Sequence, residues 1–303
     1  MYEKFYGFTD KPFNLTPDSK FFYSSAKHEE ALNCLILSIS EKSGFVVITG
    51  EIGSGKTTVC RTLLKRLDST TRVALILNTH LGRKELLTTI LEDLEIEYKS
   101  RSKTHLLSAL NKYLIEQAAE DTNVVLLIDE AQNLTPSVIE EVRMLSNLET
   151  EREKLIQIVL MGQPELKKKL AHPRLEQFRQ RVVFHYHLEA LNYAETEKYI
   201  KHRLVTAGRP DNGIFIPQAI EEIYKYSRGI PRLINLACHN ALISGLVYET
   251  KEITRDIAAE AIDELIQGVR HTLPRHCEEQ SPTELSQTEL FSPNYSQKLE
   301  NCS

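Results

Sequence analysis

One eight-residue run limits this 303-residue chain more than any other feature: Gly50-Glu51-Ile52-Gly53-Ser54-Gly55-Lys56-Thr57. It fits in full the pattern of a glycine, four free positions and then Gly-Lys-Ser/Thr. The apolar residues 45–49 precede it as a strand. A helical pattern with Val59, Leu63, Leu64 and Leu67 follows. A strand that turns through such a loop into a helix can fold its backbone around phosphate oxygens. The glycines permit this because no Cβ blocks the inward-pointing N–H groups. Lys56 brings a positive charge to the β- and γ-phosphates, and the Thr57 hydroxyl is placed to ligate magnesium. The start of the helix adds a favourable partial charge.

The rest of the chain extends this unit. Short apolar runs rich in β-branched residues recur at 45–48, 73–77, 124–128, 156–160 and 182–186, each bounded by polar or turn residues, and predict strands. Helical patterns lie between them at 56–67, 84–95, 104–119, 136–148 and 164–180. Such alternation predicts a mainly parallel sheet covered on both faces. An earlier helix is expected at 29–41, with Leu32, Leu35, Ile36 and Ile39 on one face. After about residue 190 the strands stop, and helices are expected at 194–207, 217–228, 231–247 and 255–267, the last capped by Thr254. The expected organisation is an N-terminal packing segment and helix (1–43), a phosphate-loop core (44–189), a helical lid (190–268) and a polar, disordered tail (269–303). Residues 1–30 carry ten aromatic or proline side chains among their turn formers, including Pro12, Phe13 and Pro17. That much apolar area predicts packing onto the body.

The second informative motif is Val124-Val125-Leu126-Leu127-Ile128-Asp129-Glu130. Ligand chemistry in a parallel sheet sits at the carboxyl ends of its strands, so this run delivers two carboxylates to the edge that carries the phosphate loop. Asp129 is expected to hold magnesium, usually through water, and Glu130 to activate an attacking water. The run at 73–77 inserts a strand between the two motif strands. That order, with a glutamate directly after the aspartate, points to the ATPase branch with a catalytic glutamate rather than to small nucleotide kinases.

Composition excludes several alternatives. The net charge of -5 gives no global field that would attract nucleic acid or an anionic membrane. Five scattered cysteines without a Cys-x-x-Cys pair argue against a disulfide framework or a zinc site and fit a reducing compartment. The sequence has no signal-peptide apolar core near its start and no apolar run of membrane-spanning length.

Residues 44–58, Ile128-Asp129-Glu130-Ala131-Gln132-Asn133-Leu134, 145–150, Gly162-Gln163-Pro164-Glu165-Leu166 and Gly229-Ile230-Pro231-Arg232-Leu233-Ile234-Asn235 together resemble the ExeA/GspA (general secretion pathway protein A) group of AAA+ ATPases. A related ATPase serves biogenesis of the mannose-sensitive haemagglutinin pilus. Phe5-Tyr6-Gly7-Phe8 and Pro12-Phe13 add to the likeness, which covers about residues 1–267. The resemblance implies an α/β fold of the P-loop NTPase (AAA+/ASCE) type: a three-layer parallel sheet followed by a small all-helical lid. It implies ATP and Mg2+ as ligands, and hydrolysis between subunits of a homo-oligomer, such as a ring. That hydrolysis would drive assembly or remodelling of a protein complex at the cell envelope.

The resemblance also implies roles for single residues. The nucleotide is held by Gly50, Glu51, Ile52, Gly53, Ser54, Gly55, Lys56, Thr57 and Thr58. Gln163 becomes a polar sensor of the γ-phosphate. Arg181 becomes an arginine finger given to the neighbouring subunit, with Arg179 as the substitute, and Arg232 a second sensor reaching the phosphates from the lid. Pro12 and Phe13 either wall the adenine or simply pack the N-terminal segment. Relatives of this group continue through a transmembrane segment into a peptidoglycan-binding region, and this sequence contains neither. A cytoplasmic protein is therefore expected, peripheral to the inner membrane through a partner. The basic stretch Lys167-Lys168-Lys169 with Arg174, Arg179 and Arg181 offers DNA as another partner, as in AAA+ regulators of transposition. The competing reading is a solvated helix face or a subunit interface. His185 and His187 alternate on a strand without a third metal ligand nearby.

Overall fold

The computed structural model describes residues 2–16, 18–68, 70–151, 153–209 and 213–271. Pro17 and the tail expected to be disordered beyond 271 lie outside them. Met1–Ile262 forms one unit and Asp263–Ser303 a second. The sheet, the lid helices up to Ile262 and the site belong to the first.

Five strands, β1 Phe45–Gly50, β2 Thr71–Ile76, β3 Asn123–Ile128, β4 Gln157–Gly162 and β5 Val182–Leu188, form a parallel sheet in the order β2-β3-β4-β1-β5. The inner strands β1 and β4 are buried at every position, as a sheet covered on both faces requires. Ahead of the sheet come α1 Tyr2–Tyr6 and α2 Ala26–Ser40. The sheet is flanked by α3 Lys56–Arg66, α4 Arg83–Asp93, α5 Lys103–Ala119, α6 Pro136–Leu145, α7 Pro164–Leu170 and α8 Glu176–Arg179. Alternation along each strand sorts its side chains into two cores. Val46, Ile48, Val125, Leu127, Val159 and Met161 pack on α2 and α3 through Leu32, Leu35, Val59 and Leu63. Val47, Leu126, Ile128, Ile158 and Leu160 pack on α4 to α8 through Leu86, Ile90, Leu110, Val142, Leu166 and Phe178.

The continuous helix expected at 164–180 is replaced by α7, a 3-10 turn at Pro173–Leu175 and the single turn α8. Pro173 has no N–H to donate and disfavours helical geometry at the preceding residue, and His172 is extended, with ψ of 136°.

The helical region consists of α9 Tyr193–Thr206, α10 Pro217–Ser227, α11 Pro231–Val247 and α12 Arg255–His271. Asn192 and Glu195 cap α9 reciprocally, at 2.9 and 3.0 Å. Thr254 Oγ1 accepts from the Ile257 N–H at 3.4 Å at the start of α12, the capping position expected from sequence. The only strand-like pairing here among the described residues is a parallel bridge between Phe215 and Ile253.

The aromatic N-terminal segment packs as expected. Tyr2, Tyr6, Phe8, Phe13 and Phe21 are all buried. Tyr2 Oη pairs with His239 Nδ1 at 3.1 Å, Tyr6 Oη donates to the Thr250 carbonyl at 3.2 Å, and Thr9 Oγ1 donates to the Ala207 carbonyl at 2.9 Å. Every one of these partners lies in the helical region. No described helix is long and apolar enough to cross a membrane.

Candidate nucleotide site

Strand order explains why the motifs meet. β1 lies beside β4 and β4 beside β3, so three neighbouring carboxyl ends carry the phosphate loop, Gln163 and the Asp129–Glu130 pair. A cavity of about 310 Å³ opens over this edge. The N-terminal segment, the loop and the first turn of α11 close its sides.

The phosphate loop depends on two left-handed glycines, Gly53 at φ 81° and Gly55 at φ 102°. L side chains are strained there. Contact adds a second reason. A Cβ on Gly53 would stand 2.5 Å from Arg232 Cβ, and one on Gly55 would stand 2.9 Å from His28 Nε2. Lys56 is 5% exposed and its Nζ donates to the carbonyls of Gly50 at 2.7 Å and Glu51 at 2.9 Å. Burial lowers its pKa from the ordinary lysine value, and the nearby carboxylates of Glu130, Asp129 and Glu51 act in the opposite direction. Thr57 Oγ1 donates to Asp129 Oδ2 at 2.9 Å, which brings the two expected metal ligands together. Ser54 Oγ is buried in the loop with no protein partner among the described residues.

Glu130 begins the turn after β3 at φ 50°. Its Oε2 accepts from Gln163 Nε2 at 3.1 Å and from Gln132 Nε2 at 2.5 Å. Among the residues expected from sequence, Ile52, Gly53, Gly55, Lys56, Thr57 and Thr58 line the cavity, as do Glu130, Gln163 and Arg232. Gly50, Glu51 and Ser54 build the loop behind that wall, and Asp129 stands one hydrogen bond behind Thr57. The Arg232 N–H donates to the Gly53 carbonyl at 3.3 Å, so the lid touches the loop directly.

Four of the expected residues lie away from the cavity of their own chain. Pro12 and Phe13 do not line the cavity. Phe13 is 1% exposed and meets Phe215 edge-on at 6.0 Å, because its ring has an apolar pocket on the helical region to fill. Of the two readings open for these residues, packing is the one their contacts support. Asn14, Leu15, Thr16, Phe21, Phe22 and Tyr23 form the N-terminal wall instead. Arg181 is also outside the cavity, its guanidinium donating to Ser146 Oγ at 2.7 Å, and Arg179 reaches the Ala171 carbonyl at 3.3 Å. The structure brings neither arginine to the site of its own chain.

Several residues went unforeseen. His28 on α2 bonds the Ser54 carbonyl through Nε2 at 3.2 Å and Ser25 Oγ through Nδ1 at 2.6 Å. Burial lowers its pKa from the ordinary histidine value. Arg203 is buried at the cavity, bonded to the Pro12 carbonyl and to Tyr199 Oη at 2.8 Å, with its guanidinium over the Phe21 ring at 5.0 Å. Tyr199 Oη donates in turn to Asn235 Oδ1 at 2.9 Å. His185 and His187 both pair with Thr49 Oγ1, at 3.2 and 3.0 Å, which accounts for their alternation without a metal.

The sheet order, the phosphate loop and the acidic pair at the adjoining strand end define a nucleotide-binding P-loop protein of the AAA+ type. A family model described as an AAA domain matches residues 39–170. Cdc6p from Pyrobaculum aerophilum superposes with a TM-score of 0.63 at 18% identity, over 86% of this chain and 75% of that one. The RuvB branch migration motor of Thermotoga maritima does so at 0.53 and 18%, over 80% and 70%. Within this class the chain is 40% identical over 272 residues to the general secretion pathway protein A of Aeromonas hydrophila. The match takes in 89% of this chain and 49% of the relative, so the chain spans about half the length of that protein.

Proposed function

We propose that the chain binds Mg-ATP between sheet and lid and hydrolyses it. The observation that carries this reading is the convergence on one cavity of a buried lysine, a Thr57–Asp129 pair and a carboxylate held against Gln163. The phosphate chain sits in the loop's backbone N–H groups, with Lys56 leaving its carbonyl partners for the β- and γ-phosphates. Thr57 and Asp129 present only oxygen ligands, which suits a hard cation, and Ser54 Oγ is a buried hydroxyl awaiting an acceptor in the same loop. Magnesium, when bound, neutralises charge on the phosphate oxygens. Glu130 orients the attacking water and takes its proton. Gln163 reports the γ-phosphate from the end of β4, and Arg232 brings the lid's charge to the phosphates. Residues 190–268 act as the lid.

Arg181 completes the site of a second copy in a homo-oligomer, with Arg179 as the substitute. The kinship with a secretion pathway protein supports a protein complex at the cell envelope as the target of the resulting motion. The same kinship supports a place in the cytoplasm, held to the inner membrane through that partner.

Calorimetry with Mg-ATP and a phosphate-release assay test the core of this reading. Lys56→Ala is expected to lose tight binding. Glu130→Gln is expected to bind as the parent does and turn over on the order of 10²-fold or more slowly. Unchanged affinity in the first variant, or unchanged turnover in the second, removes the residue concerned from its role.

A further inference from the structure

The polar cluster at the ends of β3 and β4 has a member to which the expected motifs give no task. Gln132 donates from Nε2 to Glu130 Oε2 at 2.5 Å and accepts at Oε1 from the Gln163 N–H at 3.0 Å. Gln163 Nε2 reaches the same Glu130 oxygen at 3.1 Å. The three residues therefore close a ring of hydrogen bonds between the two strand ends. Glu130 Oε1 has no protein donor among the described residues.

Gln132 is itself fixed from two sides. Lys169, on α7, donates from Nζ to the carbonyls of Gln132 and, at 2.8 Å, of Leu134, which anchors the 3-10 turn Ala131–Asn133 to α7. Gly162, the last residue of β4, leaves the room that the amide occupies. A Cβ there would stand 2.8 Å from Gln132 Oε1. Lysine and glycine thus shape a seat for one amide group. Its chemistry matches its two contacts: an uncharged side chain with an N–H to hold a carboxylate and an oxygen to receive a backbone N–H. A cation in the same place would stabilise the carboxylate and make it a weaker base.

We infer that Gln132 is a positioning residue for Glu130. It pins one carboxylate oxygen so that the other meets the attacking water without a rotamer search, and it ties that geometry to the Gln163 strand end. The inference rests on the reading of Glu130 as the general base. A free glutamate side chain must surrender rotamer entropy to be held this way, and the ring surrenders it during folding rather than during the reaction.

Two substitutions of similar length test it. Gln132→Met removes both hydrogen bonds. Its kcat for ATP is expected to fall by about ten- to a hundredfold with KM and the affinity for a fluorescent ATP analogue unchanged. Gln132→Glu places a second carboxyl beside Glu130. Two such groups cannot both ionise freely, so one holds a proton at mildly acid pH and donates it as the amide did. This variant should recover turnover as pH falls, giving an acid-side rise absent from the parent and from Gln132→Met. Lys169→Met should lower kcat in the same sense by a smaller factor. Thermal melts on each variant separate these effects from loss of fold. If Gln132→Met keeps the parent kcat, or if Gln132→Glu shows the same pH profile as Gln132→Met, the positioning role is overturned. Failure of the base assignment itself would be seen separately, as parent-like turnover in Glu130→Gln.

Discussion

Gly53→Ala offers a sharp test of how loop and lid are joined. Two costs meet at this position. The first is conformational: alanine at φ 81° costs about 1–2 kcal/mol. The second is contact: the new methyl would stand 2.5 Å from Arg232 Cβ, so the first turn of α11 or the loop must give way by roughly an ångström to reach van der Waals separation. Either movement breaks the bond from the Arg232 N–H to the Gly53 carbonyl and displaces the charge proposed to meet the phosphates. A misplacement of that size costs on the order of 10²-fold in turnover.

Gly44→Ala supplies the matched control. Gly44 has φ 94° and nothing within 4 Å of its Cβ position, so its alanine carries the backbone cost alone. Urea unfolding should show Gly44→Ala less stable by about 1–2 kcal/mol and Gly53→Ala by more than that. Steady-state phosphate release should then separate them, with Gly44→Ala near the parent and Gly53→Ala far below it. Turnover of Gly53→Ala within twofold of Gly44→Ala would refute the claim that the Gly53–Arg232 approach couples the lid to the loop.

Other outcomes follow from the same geometry. If Arg181 acts across an interface, Arg181→Ala and Glu130→Gln, each nearly inactive alone, should recover activity on mixing, because some interfaces join an intact Glu130 to an intact Arg181; co-assembly without recovery excludes the trans role and turns attention to Arg179. Phe13→Ala should lose about 3–5 kcal/mol of stability and leave the preference for adenine over guanine nucleotides unchanged, as competition binding would show. His28 has a pKa lowered by burial, so below about pH 6.5 the unfolded chain binds more protons at this position than the folded one, and the stability present above that pH is lost as pH falls towards the folded value. His185, His202 and His239 are shifted in the same direction, so the signature is a difference: melting temperature should fall less steeply below pH 6.5 in His28→Gln than in the parent, and parallel curves would remove His28 from the effect.

The parts of this fold legible in the sequence are those whose cause is local. The β-branched runs at 45–48 and 124–128 became β1 and β3 because continuous apolar character fits a strand covered on both faces. Residues 50–57 specify their own loop through glycine conformation. The apolar run at 73–77 is offset from its strand: β2 begins at Thr71, and Leu77, which looks like core, is 61% exposed beyond the end of the strand. The break in 164–180 had a visible signal that the basic composition obscured. Leu166, Leu170, Leu175 and Phe178 are spaced four, five and three apart, and the step of five falls at Pro173. The roles of His28 and Gln132 had no sequence signal, although Gln132 lies within one of the motifs that carry the resemblance. Their partners lie 26 and 31 residues away in the chain, Ser54 and Gln163, and only the assembled sheet brings them near. Phe13 left two readings open, an adenine wall or packing, because its ring partner Phe215 lies far along the chain.

The contacts of the N-terminal segment bear on the order in which this protein can be made. Tyr2 meets His239, Tyr6 meets Thr250 and Arg203 holds the Pro12 carbonyl, at separations of 237, 244 and 191 residues. These N-terminal aromatics therefore leave a ribosome about two hundred residues before the surface that covers them. At roughly 5–20 residues per second that interval is on the order of ten to fifty seconds. During it Tyr2, Tyr6, Phe8 and Phe13 are exposed apolar side chains on a nascent chain whose sheet is still being completed. The sheet core, with its partners nearer in sequence, can form first, while the helical region and the N-terminal segment must close together at the end. Late, long-range closure of this kind is slow, because loop-closure entropy is paid before the contacts form.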